Sequence, residues 1–462
     1  MDKPTMTQVA DKIESTAPRA AHYSATAASP RGDVPAWMAS MRAAAADRFD
    51  SVGFPATTDE EWRNTNVSPI TKTRFSPAPT EISHAAGELA DRYRFGGDAI
   101  ELIFVNGRLA PRLASQPRLP AGVRIASLAA SIESDSALIR SALGKHATID
   151  SSPFVALNTA FVADGAFVHI AAGAELNRPI HLLFISTTGE KPSVCHPRVL
   201  VIADQNVQAS LVETYVGPAG TYFTNAVTEI VLGDNSRMDH CKFQQEGADA
   251  LHMSATNVHL ARSATFISHS VTLGGLLTRN DLAVCLAGDG AEATLNGLVV
   301  AANHQHVDNH IFLDHAATNC PSHEIYKHVL ADKSTGVFKG KILVRPGAQK
   351  TDAKQTSKSL LLSDDATMHS QPALEIYADD VKCTHGSTIG PVDDELVFYL
   401  QSRGISKAAA HHLLTYAFAA DITRRIRVEP VRKRVEDFLA RQHDLPLDFR
   451  ITETGTHDEK SR

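Results

Sequence analysis

Turn-like segments recur about every thirty residues through the middle of the chain, and this spacing constrains the fold more than any other feature. From about residue 154 to residue 381, short apolar stretches rich in Val, Ile, Leu and Thr alternate with polar turns. The turns begin 27 to 32 residues apart, with one step of 44, at 171–174, 203–206, 232–235, 260–263, 287–290, 331–334 and 362–365. A period near thirty is typical of solenoids, in which stacked coils share one continuous core.

The apolar stretches favour parallel strands. Residues 182–185 read Leu-Leu-Phe-Ile, and such a run is apolar on both faces, as strands of a buried parallel sheet are. The Asp, Asn and Gly residues of the turns suit corners that β-branched residues resist. A sandwich or barrel also has short strands at similar spacing, so the pattern alone leaves that alternative open. We predict a mainly β fold built around a parallel β-helix.

Helical segments flank this region on both sides. Apolar side chains recur at four-residue spacing in two stripes, one of Trp37, Met41 and Ala45 and one of Leu414, Phe418, Ile422 and Ile426. Ser406 can cap the second helix. The predicted domains are a disordered extension (1–35), a mostly helical domain with a small strand segment (36–153), the β-helix core (154–390), a helical domain (391–445) and a polar tail (446–462).

Composition excludes several classes of function. The net charge of −7 disfavours a general nucleic-acid binder. No apolar run approaches the roughly 18 residues of a membrane span, and the start has no apolar stretch typical of a secretion signal. The five cysteines are widely spaced and include no Cys-x-x-Cys pair, which favours a reducing compartment over a disulfide framework. We therefore predict a cytoplasmic protein with no nucleic-acid or membrane partner.

No catalytic motif stands out. The segment 336–342 has only three residues between its glycines and Ile342 after the lysine, so it lacks the spacing of a phosphate loop. The acidic pairs 364–365, 379–380 and 393–394 place neighbouring carboxylates on opposite faces of a strand, unlike the facing pair of a glycosidase. These patterns predict no nucleotide site and no enzyme. A stand-alone carbohydrate-active β-helix enzyme is the alternative.

Cys383 and His385 are the strongest candidates for a metal site. Residues two apart on a strand point to the same face, and a thiolate and an imidazole can share an iron or zinc ion. Two ligands do not complete a tetrahedral site, so others would come from a neighbouring coil or a partner chain. On spacing alone, a structural role is the alternative.

A cluster of histidines gives a second, weaker set of candidates. His304, His306 and His310 share one face if a single strand runs through all three. Transient iron binding or a proton-coupled role would then be open to them. Histidines that only form hydrogen bonds within the coil are the alternative.

Nine short segments occur in an order and spacing that resemble one family. They are 279–282 (Arg-Asn-Asp-Leu), 306–310 (His-Val-Asp-Asn-His), 314–315 (Asp-His), 336–341 (Gly-Val-Phe-Lys-Gly-Lys), 349–353 (Gln-Lys-Thr-Asp-Ala), 360–363 (Leu-Leu-Leu-Ser), 379–386 (Asp-Asp-Val-Lys-Cys-Thr-His-Gly), 396–400 (Leu-Val-Phe-Tyr-Leu) and 402–405 (Ser-Arg-Gly-Ile). Together they resemble the SufB/SufD family. Within it, 383–386 and 414–419 are more similar to SufD than to its paralogue SufB.

This resemblance implies a right-handed β-helix flanked by helical domains, acting as a non-catalytic scaffold in iron–sulfur cluster assembly by the SUF system. It implies pairing with SufB and with two copies of the ATPase SufC. SufC would contact the C-terminal helical domain, where the Leu414 to Ile426 stripe is the candidate surface. The sulfur donors SufS and SufE would act through SufB.

The resemblance also implies that a nascent cluster or iron is held transiently at the SufB interface, with His385 and Cys383 as the ligands from this chain. A homodimeric iron-binding protein without SufC is the remaining alternative.

Overall fold

The computed structural model describes residues 34–113, 119–174 and 176–442. The predicted polar tail and the predicted N-terminal extension as far as residue 33 lie outside these ranges.

Twenty-one strands of the described residues form two long sheets. They are β1 (Ser76–Pro77), β2 (Ile100–Val105), β3 (Arg108–Leu109), β4 (Val123–Ser127), β5 (Gly165–Ile170), β6 (Ile180–Ile185), β7 (Ser193–Cys195), β8 (Arg198–Ala203), β9 (Gln208–Val216), β10 (Tyr222–Leu232), β11 (Arg237–Gln245), β12 (Leu251–Leu260), β13 (Thr265–Thr272), β14 (Leu277–Leu286), β15 (Glu292–Ala301), β16 (His306–His315), β17 (Pro321–Leu330), β18 (Thr335–Val344), β19 (Asp352–Leu361), β20 (Thr367–Ile376) and β21 (Lys382–Gly390) in the described residues.

Each coil contributes one strand to each sheet. The first sheet runs β20-β18-β16-β14-β12-β10-β8-β5-β4, with β7 beside β10 and β1 beside β7. The second runs β21-β19-β17-β15-β13-β11-β9-β6-β2-β3. Pairing is parallel except for β2 with β3 and β4 with β5, at the beginning of the stack. The predicted β-helix is confirmed, and the sandwich and barrel alternatives are excluded.

The corners explain both the repeat and its one irregular step. Asn206, Asn235 and Ser263 adopt φ of 59°, 58° and 56° where the chain passes from the first sheet to the second. Small polar residues tolerate this left-handed conformation better than most. The next corners of this series hold Gly290 and Asn319, with φ of 72° and 57°. The predicted turns at 331–334 and 362–365 instead belong to the opposite corner, which produced the apparent step of 44.

Inward-facing side chains stack along the lumen in register. Phe104, Phe184 and Tyr215 pair across β2, β6 and β9, and successive ring centroids are 4.9 Å apart. This spacing is that of neighbouring strands in a sheet. Because β2 already belongs to the stack, the stacked coils begin at Ile100, earlier than the predicted boundary at residue 154. The helices inserted between β4 and β5 interrupt the thirty-residue spacing, so the repeat in the sequence does not reveal this first coil.

Helices cover the outer faces of both sheets. The described helices are α1 (Ala36–Val52), α2 (Ser68–Lys72), α3 (His84–Tyr93), α4 (Leu128–Ser134), α5 (Ser136–Ala142), α6 (Pro153–Phe161), α7 (Asp394–Ser402), α8 (Lys407–Thr423) and α9 (Glu429–Gln442). As predicted, the Ser406 hydroxyl caps α8, accepting a hydrogen bond from the Ala409 backbone N–H. Helices α3, α8 and α9 pack on the second sheet, and α1 and α6 pack on the first.

Candidate functional site

The last coil, formed by β20 and β21, leaves one end of the solenoid uncovered. Within the described residues, β20 pairs only with β18 and β21 pairs only with β19. Their side chains are mostly exposed or half-buried, in contrast to those of the preceding coils. The Ser387 hydroxyl donates to the Ser370 hydroxyl at 2.8 Å and links the two strands. We call this region the open end.

Cys383 and His385 both lie on β21, on the face that continues the lumen. Cys383 is half-buried and packs against the lumenal core, and alternation along the strand places His385 on the same side. Burial raises the pKa of the Cys383 thiol, so it holds its proton at neutral pH. His385 is exposed. The open end therefore presents a thiol and an imidazole side by side.

These two donors are not joined by a third within the described part of the chain. There, no group of three or more His, Cys, Asp or Glu side chains is placed to hold a metal ion. A four-coordinate iron or zinc would need ligands beyond this pair.

Two buried polar residues stand behind His385, and the sequence patterns did not single them out. In the parallel register, Glu324 of β17 lies beside Gln355 of β19, which lies beside His385. The Gln355 Nε2 donates to the Glu324 Oε2 at 2.9 Å. Burial raises the pKa of Glu324 to about 7, against the opposing effect of this hydrogen bond. Their separation in sequence hides this column, which only the coil register reveals.

The structure separates the three candidate histidines of the other cluster. His304 lies in the turn before β16, so the strand does not run through all three as the prediction required. His306 and His310 do share a face, but it is the outer face of the first sheet, away from His385. There the Thr65 hydroxyl lies 3.0 Å from His306 Nε2.

His310 has no nitrogen left to bind a metal. Its Nε2 lies 3.0 Å from Asp308 Oδ1, and its Nδ1 lies 3.5 Å from Glu61 Oε2. Although burial opposes it, the Asp308 carboxylate raises the pKa of His310 to about 9. A protonated imidazole offers only N–H donors. His310 thus ties the Glu61 segment to the solenoid, which is a structural role.

The helical stripe proposed as a docking surface faces inward. Ile422 and Ile426 are fully buried against the second sheet, and Phe418 packs beside them. The Lys327 ammonium donates to the Phe418 carbonyl at 2.9 Å. Leu414 packs between α7 and α8. The stripe is therefore a core contact of this chain. Four-residue spacing identifies an apolar face of a helix but does not show what covers that face.

Exposed apolar side chains lie instead on α7 and near the open end. On α7, Leu396, Phe398 and Tyr399 are 49%, 72% and 55% exposed. Tyr377 and Ile389, at the ends of β20 and β21, are also exposed. Large apolar groups left in water at neighbouring positions mark surfaces that contact other proteins.

Comparison with known families decides what kind of protein has this architecture. Residues 184–418 match the family described as "SUF system FeS cluster assembly, SufBD core domain", and residues 19–182 match the "SufBD protein N-terminal region". The chain belongs to the SufBD family. The strands from β7 to β21, with both candidate residues of β21, fall within the matched core.

Relatives of this SufBD chain share most of its length. An iron–sulfur cluster assembly SufBD family protein of Synechocystis is 32% identical, covering 86% of this chain and 89% of the relative. The iron–sulfur cluster assembly protein SufD of Escherichia coli is 31% identical, covering 83% and 88%. SufD of Bacillus subtilis is 24% identical, covering 88% and 94%. Among the described helices, none is both long and apolar enough to cross a membrane.

Proposed function

We propose that this SufBD chain is a non-catalytic scaffold subunit that holds a nascent iron–sulfur cluster at its open end. The observation that carries the proposal is the placement of Cys383 and His385 side by side on an edge strand that, within the described residues, pairs on one side only. Iron is the cargo of the site. Because the Cys383 thiol is protonated, binding iron through its sulfur releases a proton.

The partner that completes the site is a second β-helix, SufB. On the side away from β18 and β19, the edge strands β20 and β21 have no pairing partner among the described residues over their 10 and 9 residues. Such edges pair readily with strands of another chain. Tyr377 and Ile389 add apolar area to the same region. Pairing there brings SufB side chains next to His385, and SufS and SufE deliver sulfur through SufB.

The ATPase SufC docks on the C-terminal helices. Since the Leu414 to Ile426 stripe is buried, the docking surface is the exposed apolar face of α7 with Leu396, Phe398 and Tyr399. Gly336 and Gly340, whose spacing differs from that of a phosphate loop, lie within strand β18. Energy therefore comes from SufC, whose ATP-driven closure shears the interface between the two solenoids and opens the site.

Replacing His385 tests the proposal. In a reconstituted complex of this chain with SufB and SufC, His385→Ala should lower the rate of cluster formation at least tenfold, since it removes a ligand. His369→Ala is the matched control, because His369 is also an exposed histidine of the last coil, on β20. Cluster formation is followed by the visible absorbance of the cluster. A normal rate with His385→Ala would reject the site.

Co-purification tests the partners separately. The full chain with an affinity tag should capture both SufB and SufC from cells. A purified single chain that binds iron as a homodimer, or that cleaves polysaccharide, would instead support the alternatives.

A further inference from the structure

Three inward-facing residues form a column that ends at the open end. Glu324, Gln355 and His385 are register partners on β17, β19 and β21. Adjacent strands lie about 4.8 Å apart, so each side chain is within reach of the next. Glu324 and Gln355 are only 3% and 2% exposed. The column thus leads from a sealed part of the lumen to an exposed imidazole.

The nitrogen and the oxygen of the Gln355 amide differ in their hydrogen bonding. Its Nε2 donates to Glu324, whereas its buried Oε1 has no hydrogen-bond partner in the described chain. A buried carbonyl oxygen without a donor is costly. The strands beside β19 in the sheet are β17 and β21, so His385 is the register partner on the open side.

A glycine on the opposite sheet provides the space for this amide. A Cβ atom at Gly340 would lie 2.3 Å from the Gln355 Nε2 and 2.9 Å from the Phe338 ring. No side chain larger than hydrogen fits there without displacing Gln355. The chain therefore builds a defined position for the amide between Gly340 and Glu324.

We propose that Gln355 is a positioning residue for His385 and that Glu324 fixes the orientation of the Gln355 amide. In this role the exposed His385 ring turns toward the lumen, and one imidazole N–H donates to the Gln355 Oε1, which has no partner in the described chain. The other nitrogen is then unprotonated and faces outward, where it can bind a metal. Hydrogen bonds of this kind select the tautomer of metal-binding histidines in many proteins. That the outward nitrogen is used for iron rests on the proposed function.

The charge of Glu324 sets the donor-to-acceptor direction of the hydrogen bonds along the whole column. An ionised carboxylate only accepts hydrogen bonds, so it requires the amide N–H of Gln355 to point toward it. Protonated Glu324 can donate, which turns the amide and presents its N–H to His385. Burial raises the pKa of Glu324 to about 7, and no charged group contributes to that shift. The inward-facing residues around it on β15, β17, β18 and β19 are Leu295, Tyr326, His328, Phe338, Gly340 and Gln355.

The test is a direct measurement of the His385 tautomer by NMR of the full chain labelled with ¹³C and ¹⁵N in histidine. The His385 signals are assigned by their loss in His385→Gln, and spectra are recorded about one pH unit above the pKa of Glu324. Wild type should favour one tautomer by roughly fivefold, the factor that one hydrogen bond supplies. Gln355→Leu should remove this preference, and Glu324→Gln, whose amide can donate, should shift it toward the other tautomer.

Ser357→Ala is the matched control. Ser357 lies on β19 next along the lumenal face and is equally buried, and its hydroxyl has no hydrogen-bond partner among the described residues. Its register partner, however, is Ser387. It should leave the tautomer unchanged. If neither Gln355→Leu nor Glu324→Gln alters the tautomer in a folded chain, the positioning role is refuted. A changed tautomer together with normal cluster formation by His385→Ala would refute the proposed function while leaving the positioning role in place.

Discussion

Replacing Glu324 with Gln should change how the stability of the chain depends on pH. Burial raises the pKa of Glu324 from its ordinary 4.5 to about 7. The folded chain therefore holds this proton more tightly than the unfolded chain does. The stability that this preference contributes is complete below about pH 4.5 and is lost as the pH rises through about 7. The difference between 4.5 and about 7 corresponds to about 3 kcal/mol, because each pKa unit is worth about 1.36 kcal/mol.

Urea unfolding at about pH 5 and about pH 8 measures this effect. Gln does not ionise, so Glu324→Gln avoids the loss that wild type suffers at the higher pH. The free energy of unfolding of the variant, taken relative to that of wild type, should be about 2 to 3 kcal/mol larger at pH 8 than at pH 5. Glu375→Gln, on the exposed side of β20, should change this difference by less than about 0.5 kcal/mol. Equal differences at both pH values for Glu324→Gln would refute the reasoning.

Three further outcomes are expected. Gly297→Ala should lower the free energy of unfolding by about 1–3 kcal/mol in urea titrations, because a Cβ there would lie 2.0 Å from the Tyr326 ring. Wild type should lose stability between about pH 6.5 and 9, because the raised pKa of His310 makes its contribution to stability complete below the first value and lost as the pH rises through the second. His310→Gln should not show this loss, and a pH profile identical to that of wild type would contradict the prediction. Phe398→Ser should abolish capture of SufC in pull-down assays while leaving the thermal midpoint unchanged, because Phe398 is 72% exposed.

The repeat made the β-helix predictable, and strand alternation made the pairing of Cys383 with His385 predictable. Both depend on local rules. Corners need residues that tolerate the left-handed backbone conformation, such as Asn206 and Asn235, and residues two apart on a strand share a face. The sequence therefore identified the stacked coils and one face of the last strand without any tertiary information.

The errors arose where distant segments meet. The stripe containing Phe418 was recognised as apolar, but its partner is the outer face of the solenoid, which helical periodicity does not specify. His310 is unsuited to bind a metal partly because its Nδ1 lies beside Glu61, a residue far away in the chain. The Glu324 and Gln355 column went unnoticed because its members align only through the register of stacked coils. Each case required knowledge of which coil lies beside which.

Amide hydrogen exchange of the last coil tests the central claim most directly. Peptides covering β20 and β21 are followed by mass spectrometry in the full chain, before and after SufB is added. Within the described residues, their backbone groups are unpaired on one side, so a strand from SufB should slow their exchange markedly while leaving β17 unchanged. A stable complex with SufB that leaves exchange in residues 367–376 and 382–390 unaltered would place the interface elsewhere and contradict the account.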